Sequence, residues 1–271
     1  IFRSESGNRA DVNITGRYDA VEKAGIVRIS GTPYVTVENV TVSGGSQGFE
    51  SCVALTGSRN VTLRGNAISA EKSNAYSGST NLVRETSQNV LGDNCDDLLI
   101  ENNLFSGGRI ALYLGGTGFI ALPPERGLIV RNNTVADAAS KGIYVSCVND
   151  AVITGNSVTN AETLKSYTAF DLYRLRGETV VSGNRVVSRG NADSTGLYFR
   201  SDSRGSEETP IRVFNNVIDL TGSTSYTGRA LQVDNSSDNI DFAFNTFRIG
   251  GTGGYAFCTS GSDLPAGISL R

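Results

Sequence analysis

Tyr198 and Arg200 stand two residues apart, and Asp171 and Tyr173 repeat that spacing one unit earlier. On an extended strand, residues i and i+2 share a face. Each pair therefore points one way, while the neighbouring apolar residues Leu197/Phe199 and Phe170/Leu172 point the other. The same alternation turns Tyr113, Tyr144, Gln232 and Asp234 outward on their own strands, and Lys141, Arg174 and Arg229 fall close by. An arginine can hold a carboxylate through two parallel hydrogen bonds. A lysine or tyrosine beside it can then take the proton α to that carboxylate. That is β-elimination chemistry on an acidic polysaccharide, with Tyr198, Arg200, Lys141 and Asp171 as the catalytic candidates. Tyr113, Tyr144, Tyr173, Arg174, Gln232 and Asp234 would line the substrate, since tyrosine rings stack on the apolar faces of sugars. The same residues also read as an ordinary solvent-facing strand surface, with its charges solvated or locally paired.

Composition narrows the chemistry further. The chain of 271 residues has no His, Met or Trp, which excludes a Ser-His-Asp triad, a His general base and His-ligated metals. A hydrolase would need two carboxylates at a set separation. Asp171 and Asp234 fall two repeats apart, about 9.6 Å if repeats stack at the strand spacing, which would allow only an inverting geometry. A lyase is therefore preferred over a glycoside hydrolase. The net charge of −3 gives no basis for a nucleic-acid partner, and no apolar run approaches the length of a membrane span. "GDNCDD" at 92–97 supplies Asp93, Asp96 and Asp97, and Asp150 and Glu178 recur at the place of Asp97. These read as Asx turns. Ca²⁺, which takes oxygen ligands, is the one cofactor they would admit; no other cofactor and no metal ligand set is implied.

The elements that position these residues repeat. An apolar-x-x-Asn-x-apolar unit recurs at Asn66, Asn103, Asn133, Asn156, Asn184, Asn216 and Asn245, spaced 37, 30, 23, 28, 32 and 29 residues apart, with Val40 standing for Asn in an earlier copy. A second apolar pair precedes each unit, as in Ile143/Val145, Leu231/Val233 and Tyr255/Phe257. Period-2 alternation, abundant Gly and polar turn residues, and the absence of helical stripes give an all-β solenoid. Asn suits a stacked turn because it tolerates left-handed backbone and because its amide both donates and accepts, so successive copies can form a ladder.

Over roughly residues 26–258 this pattern resembles the right-handed parallel β-helix proteins of the pectate-lyase-like superfamily. The resemblance implies three strands per coil, the Asn ladder between the second and third strands, and ligands along the outside of the first. It carries over no catalytic residue, because the His-containing motifs of polygalacturonases, pectate lyases and alginate epimerases cannot exist here. The pectin methylesterase motifs are absent as well. The expected architecture is a right-handed single-stranded parallel β-helix of about nine coils. It would be one domain over residues 1–271, incomplete at its N-terminus because the chain starts at Ile1 and shows no cap. Three inserts, 69–89, 115–127 and 201–209, are the places where loops would wall a groove. Register keeps the four cysteines apart, so four free thiols are expected. Two functions remain open: an extracellular or cell-surface protein that binds or cleaves an acidic polysaccharide, and a non-catalytic glycan-binding, adhesive or structural surface module. The particular glycan and the oligomeric state have no signature in the chain.

Overall fold

A computed structural model describes residues 1–16, 25–44, 50–72, 80–85, 94–116, 124–161, 166–189, 193–221, 228–234, 236–250, 253–260 and 265–271. Its strands form three long parallel sheets of nine, ten and nine strands. The first face runs through Asn81–Glu85, Ile110–Gly115, Lys141–Ser146, Tyr167–Tyr173, Ser194–Arg200 and Arg229–Asp234. The second includes Ile129–Arg131, Val152–Thr154 and Val180–Ser182, and the third Thr134–Ala136, Ser157–Asn160 and Arg185–Ser188. This is a right-handed parallel β-solenoid. Seven turns carry the ladder Asn, so the regular stack is about seven turns and not nine. At the N-terminal side the ladder stops at Val40, whose N–H still donates to Asn66 Oδ1 at 3.1 Å.

The ladder has one geometry throughout. Each Asn Oδ1 accepts both the backbone N–H and the side-chain amide of the Asn one turn before, as when Asn133 donates twice to Asn156 at 3.0 Å. Each amide also donates to a backbone carbonyl; Asn156 Nδ2 reaches Val130 O at 2.9 Å. The left-handed backbone falls elsewhere than expected. It belongs to the residue before the ladder Asn: Asn102, Asn132 and Asn215 at φ 54–57°, Gly155 and Gly183 at 66° and 63°. Those positions favour Asn and Gly because other side chains crowd the carbonyl there. Phe244 fills the same position at φ 55°, with its ring 78% exposed, an unfavourable conformation for a bulky residue.

Inside the cylinder, apolar side chains stack in columns. One runs Ile29, Leu55, then Leu114, Val145, Leu172, Phe199 and Val233, nearly all of them fully buried. Residues 69–89 are not one loop. Asn81–Glu85 within them is a first-face strand paired with Ser51–Thr56 and Ile110–Gly115. In residues 115–127, Glu125–Arg126 pairs with Val148–Asn149. Tyr255, read as inward, lies 52% exposed opposite Arg229; Phe257 and Thr259 continue the inward column. All four cysteines are free. Cys95 and Cys147 are separated by the turn of Glu125, which Cys95 N–H and Cys147 O touch from opposite sides.

Candidate functional site

Parallel pairing fixes the outer columns of the first face. One runs Tyr113, Tyr144, Asp171, Tyr198, Gln232 and Cys258; the next, two residues along each strand, runs Ser146, Tyr173, Arg200 and Asp234 toward Ser260. Eight of the candidates read from the sequence lie in these two columns; Lys141 sits earlier on its strand, paired with Thr168, and Arg174 falls in the left-handed turn just after Tyr173. The aromatic column is not continuous, because Asp171 interrupts it between Tyr144 and Tyr198. Tyr113 and Tyr144 stack with ring centroids 4.7 Å apart and planes 38° off parallel.

Asp171 points outward and is nonetheless 3% exposed. Arg200, from the following strand, donates Nε to its Oδ1 at 2.6 Å and an Nη to its Oδ2 at 3.2 Å, and Lys141, from the preceding strand, bonds the same Oδ2. The two cations close over the carboxylate and lie in turn over tyrosine rings. Lys141 Nζ is 4.6 Å from the Tyr144 centroid, and the Arg200 guanidinium is 5.1 Å and 5.8 Å from Tyr173 and Tyr198. Arg174 is 5.2 Å from Tyr173 on its other flank and Arg84, paired with Glu50 at 2.5 Å, is 5.9 Å from Tyr113. Such cation–π contacts contribute roughly 0.5–2 kcal/mol each, so the face is a braced lattice of rings and ion pairs.

The same bracing sets the protonation chemistry of these residues. A proton-abstracting tyrosine needs its phenol brought down toward the working pH. Here burial, with the Asp234 carboxylate next, pushes Tyr198 up, and its hydroxyl donates to Asp234 Oδ1 at 3.1 Å. Burial also pushes Tyr144 up to about 12. The Lys141 ammonium is tied to Asp171. Asp234 also accepts from Ser201 N–H at 3.0 Å and from the Ser260 hydroxyl, so Asp171 and Asp234 are both held in internal hydrogen bonds. Gln232 stays half-buried beside Tyr198 in the same column.

The acidic turns are held by backbone hydrogen bonds. Asp93 lies outside the described residues. Asp96 accepts from Arg126 N–H at 3.0 Å and Asp150 from Glu178 N–H at 2.8 Å, while Asp97 and Asp150 hold left-handed turns at φ 58°. Among the described residues no three His, Cys, Asp or Glu side chains come together as a metal would need.

Sequence reasoning missed a third arrangement, in the core. Glu85 and Glu125 are each 2% exposed. Glu85 occupies the inward column between Leu55 and Leu114, one place on from the Arg84–Tyr113 pair. Glu125 lies inward between Cys95 and Val148. The two carboxyls are neighbours: Glu85 Oε2 accepts from Gly115 N–H, and the Glu125 side chain packs against Gly116. The alternation at "NLVRE" was the available signal, since it puts Glu85 on the side of Val83.

A search of curated proteins finds no match. Two solved structures of a Streptococcus pneumoniae protein are similar in fold. One, described as the crystal structure of PfbA, a surface adhesin, is 13% identical and matches with TM-score 0.50 over 87% of this chain and 64% of that one. The other, described as the surface protein and adhesin PfbA, is also 13% identical and matches with TM-score 0.43 over 90% and 68%. The chain therefore spans less than two thirds of the first of these. The model of the family described as periplasmic copper-binding protein (NosD) matches residues 10–241, a span that takes in the whole ladder except Asn245 and every candidate on the first face. The chain belongs to the NosD family.

Proposed function

We propose that this protein is a non-catalytic binding module, adhesive in character, whose first outer face holds an elongated ligand of the glycan class. The observation that supports it most is that each acid–base candidate is tied into an internal ion pair or hydrogen bond, while tyrosine rings stay on the outer face, Tyr113 stacked on Tyr144 and Tyr173 and Tyr198 flanking Arg200. Such a surface offers rings and fixed dipoles to a ligand and offers no base to a reaction. The protein is extracellular or at the cell surface. No helix among the described residues is long and apolar enough to cross a membrane. The pneumococcal protein of similar fold is described as a surface adhesin, a role of the same kind. That residues 1–271 form one domain is part of the same proposal.

Copper, which the family's description names, does not fit this chain's donors. Copper sites draw on imidazole, thiolate and thioether, and the chain has neither His nor Met. Its four cysteines are separate: Cys52 and Cys258 sit on first-face strands seven spacings apart, and Cys95 and Cys147 flank Glu125. Burial pushes all four thiols up, Cys52 to about 12, which opposes thiolate formation. Titration with Cu(I) and Cu(II) against a competing chelator should show no stoichiometric site; one equivalent held at micromolar free copper or below would reverse this conclusion.

The proposal is tested by incubating the protein with a panel of neutral and uronate polysaccharides, following absorbance near 235 nm and chain length. The expected result is retention on at least one polymer with no unsaturated product and no shortening. Turnover on any of them would return Tyr198, Arg200 and Lys141 to catalytic candidacy.

A further inference from the structure

Glu85 and Glu125 stand where every comparable position is filled by an apolar or small side chain. The column of Glu85 otherwise holds Ile29, Leu55, Leu114, Val145 and Leu172. Around Glu125 the inward turn positions are Ser58, Cys95, Val148, Leu175 and Ser203. Among the described residues no cation lies within ion-pair distance of either carboxyl. Glu85 Oε2 accepts from Gly115 N–H at 2.7 Å and Glu125 Oε1 from Cys95 N–H at 3.2 Å. The other groups facing the pair are the Cys95 thiol and, toward Glu125, the Asp96 carboxylate. Glu85 Oε1 is buried with no hydrogen-bond partner among the described residues. Two ionised carboxylates in contact, in a dry interior and without a cation, would repel strongly. With one proton between them the same contact is a hydrogen bond.

We propose that Glu85 and Glu125 hold a shared proton inside the β-solenoid and act as a proton-controlled latch: its loss drives the carboxyls apart, opens the core at this coil and exposes Cys95. Burial raises both acids, and the charge of Glu85 raises Glu125 further, to about 11. The folded pair is thus the stronger proton binder. Its contribution to stability is full below the unfolded glutamate value near 4.5 and declines as pH rises toward 11. Across pH 5 to 9 the pair's contribution should therefore fall as pH rises, opposite in sign to that of the salt-bridged carboxylates such as Glu101.

The experiment is thermal unfolding between pH 5 and 9 for the wild type, Glu125→Gln and Glu85→Leu. The wild-type midpoint should fall by roughly 10 °C or more across that range, and either substitution should remove at least half of the fall. A second measurement serves if a variant does not fold. Thiol labelling of the wild type, resolved by peptide, compares Cys95 with the equally buried Cys52. The Cys95/Cys52 rate ratio should rise at least about tenfold from pH 6 to pH 9, following the opening of the latch. A flat wild-type profile, an unchanged slope in folded variants or a constant labelling ratio would overturn the proposal. So would a midpoint raised by Ca²⁺ or Zn²⁺ in the wild type alone, which would make the pair a metal site.

Discussion

Replacing Asn156 by Ala lowers the unfolding free energy by about 4 kcal/mol. The side chain makes four hydrogen bonds in the core: its amide donates to Val130 O at 2.9 Å and Asn184 Oδ1 at 3.0 Å, and its Oδ1 accepts two bonds from Asn133 at 3.0 Å. Ala removes all four and leaves the Asn133 backbone N–H buried without its acceptor. One such orphan costs about 1–3 kcal/mol and each lost net bond about 1. In a chain of this length the unfolding midpoint should drop by roughly 10 °C. Because each coil touches only its neighbours, the damage should stay local, with hydrogen exchange accelerating at Asn133 and Asn184 before Asn66 or Asn245. An unchanged midpoint would mean that the ladder is ornamental at this coil.

Asp171→Ala has nearly as large an effect, by a different route. It leaves the Lys141 ammonium and the Arg200 guanidinium facing each other across the space the carboxylate filled. Removing one partner of a fully buried ion pair costs about 3–5 kcal/mol. Lys141 and Arg200 are 25% and 29% exposed, so solvent relieves part of this and about 3 kcal/mol is expected. Arg200 should also leave the Tyr173 and Tyr198 rings, loosening the whole face. The control is Asp171→Ala combined with Arg200→Leu and Lys141→Met, which removes the uncompensated charges and should recover more than half of the lost stability. Failure to recover would show that the loss comes from packing alone.

How much of this was written in the sequence follows from what a solenoid repeats. Each coil meets the same neighbours, so the ladder positions from Asn66 to Asn245, the inward apolar pairs and the shared face of Tyr144, Tyr173, Tyr198 and Arg200 could all be read from alternation and spacing. Environments that depend on neighbouring coils could not. Asp171 faces outward by its place on the strand, yet is buried because the long side chains of Lys141 and Arg200, one coil to either side, fold over it. Glu85 and Glu125 were passed over because a carboxylate in a polar stretch reads as surface, whereas register turns both into the core. The strand Asn81–Glu85 was hidden by a 37-residue spacing that resembles an insert. The left-handed turn was given to the ladder Asn when the residue before it, as in Asn132-Asn133 and Gly155-Asn156, adopts that backbone.

On the proposed function, the ring-and-ion lattice on the first face is a binding surface without catalysis. The most direct measurement is affinity electrophoresis of the wild type and of Tyr144→Ala/Tyr198→Ala through gels containing the polysaccharide that retains the protein. Both rings are partly solvent-facing, so the double variant should fold and keep its far-ultraviolet spectrum. The account predicts that retardation falls at least about tenfold in the variant while the polymer's length stays unchanged with either protein. Equal retardation of the two, or a shortened polymer with the wild type, would contradict it.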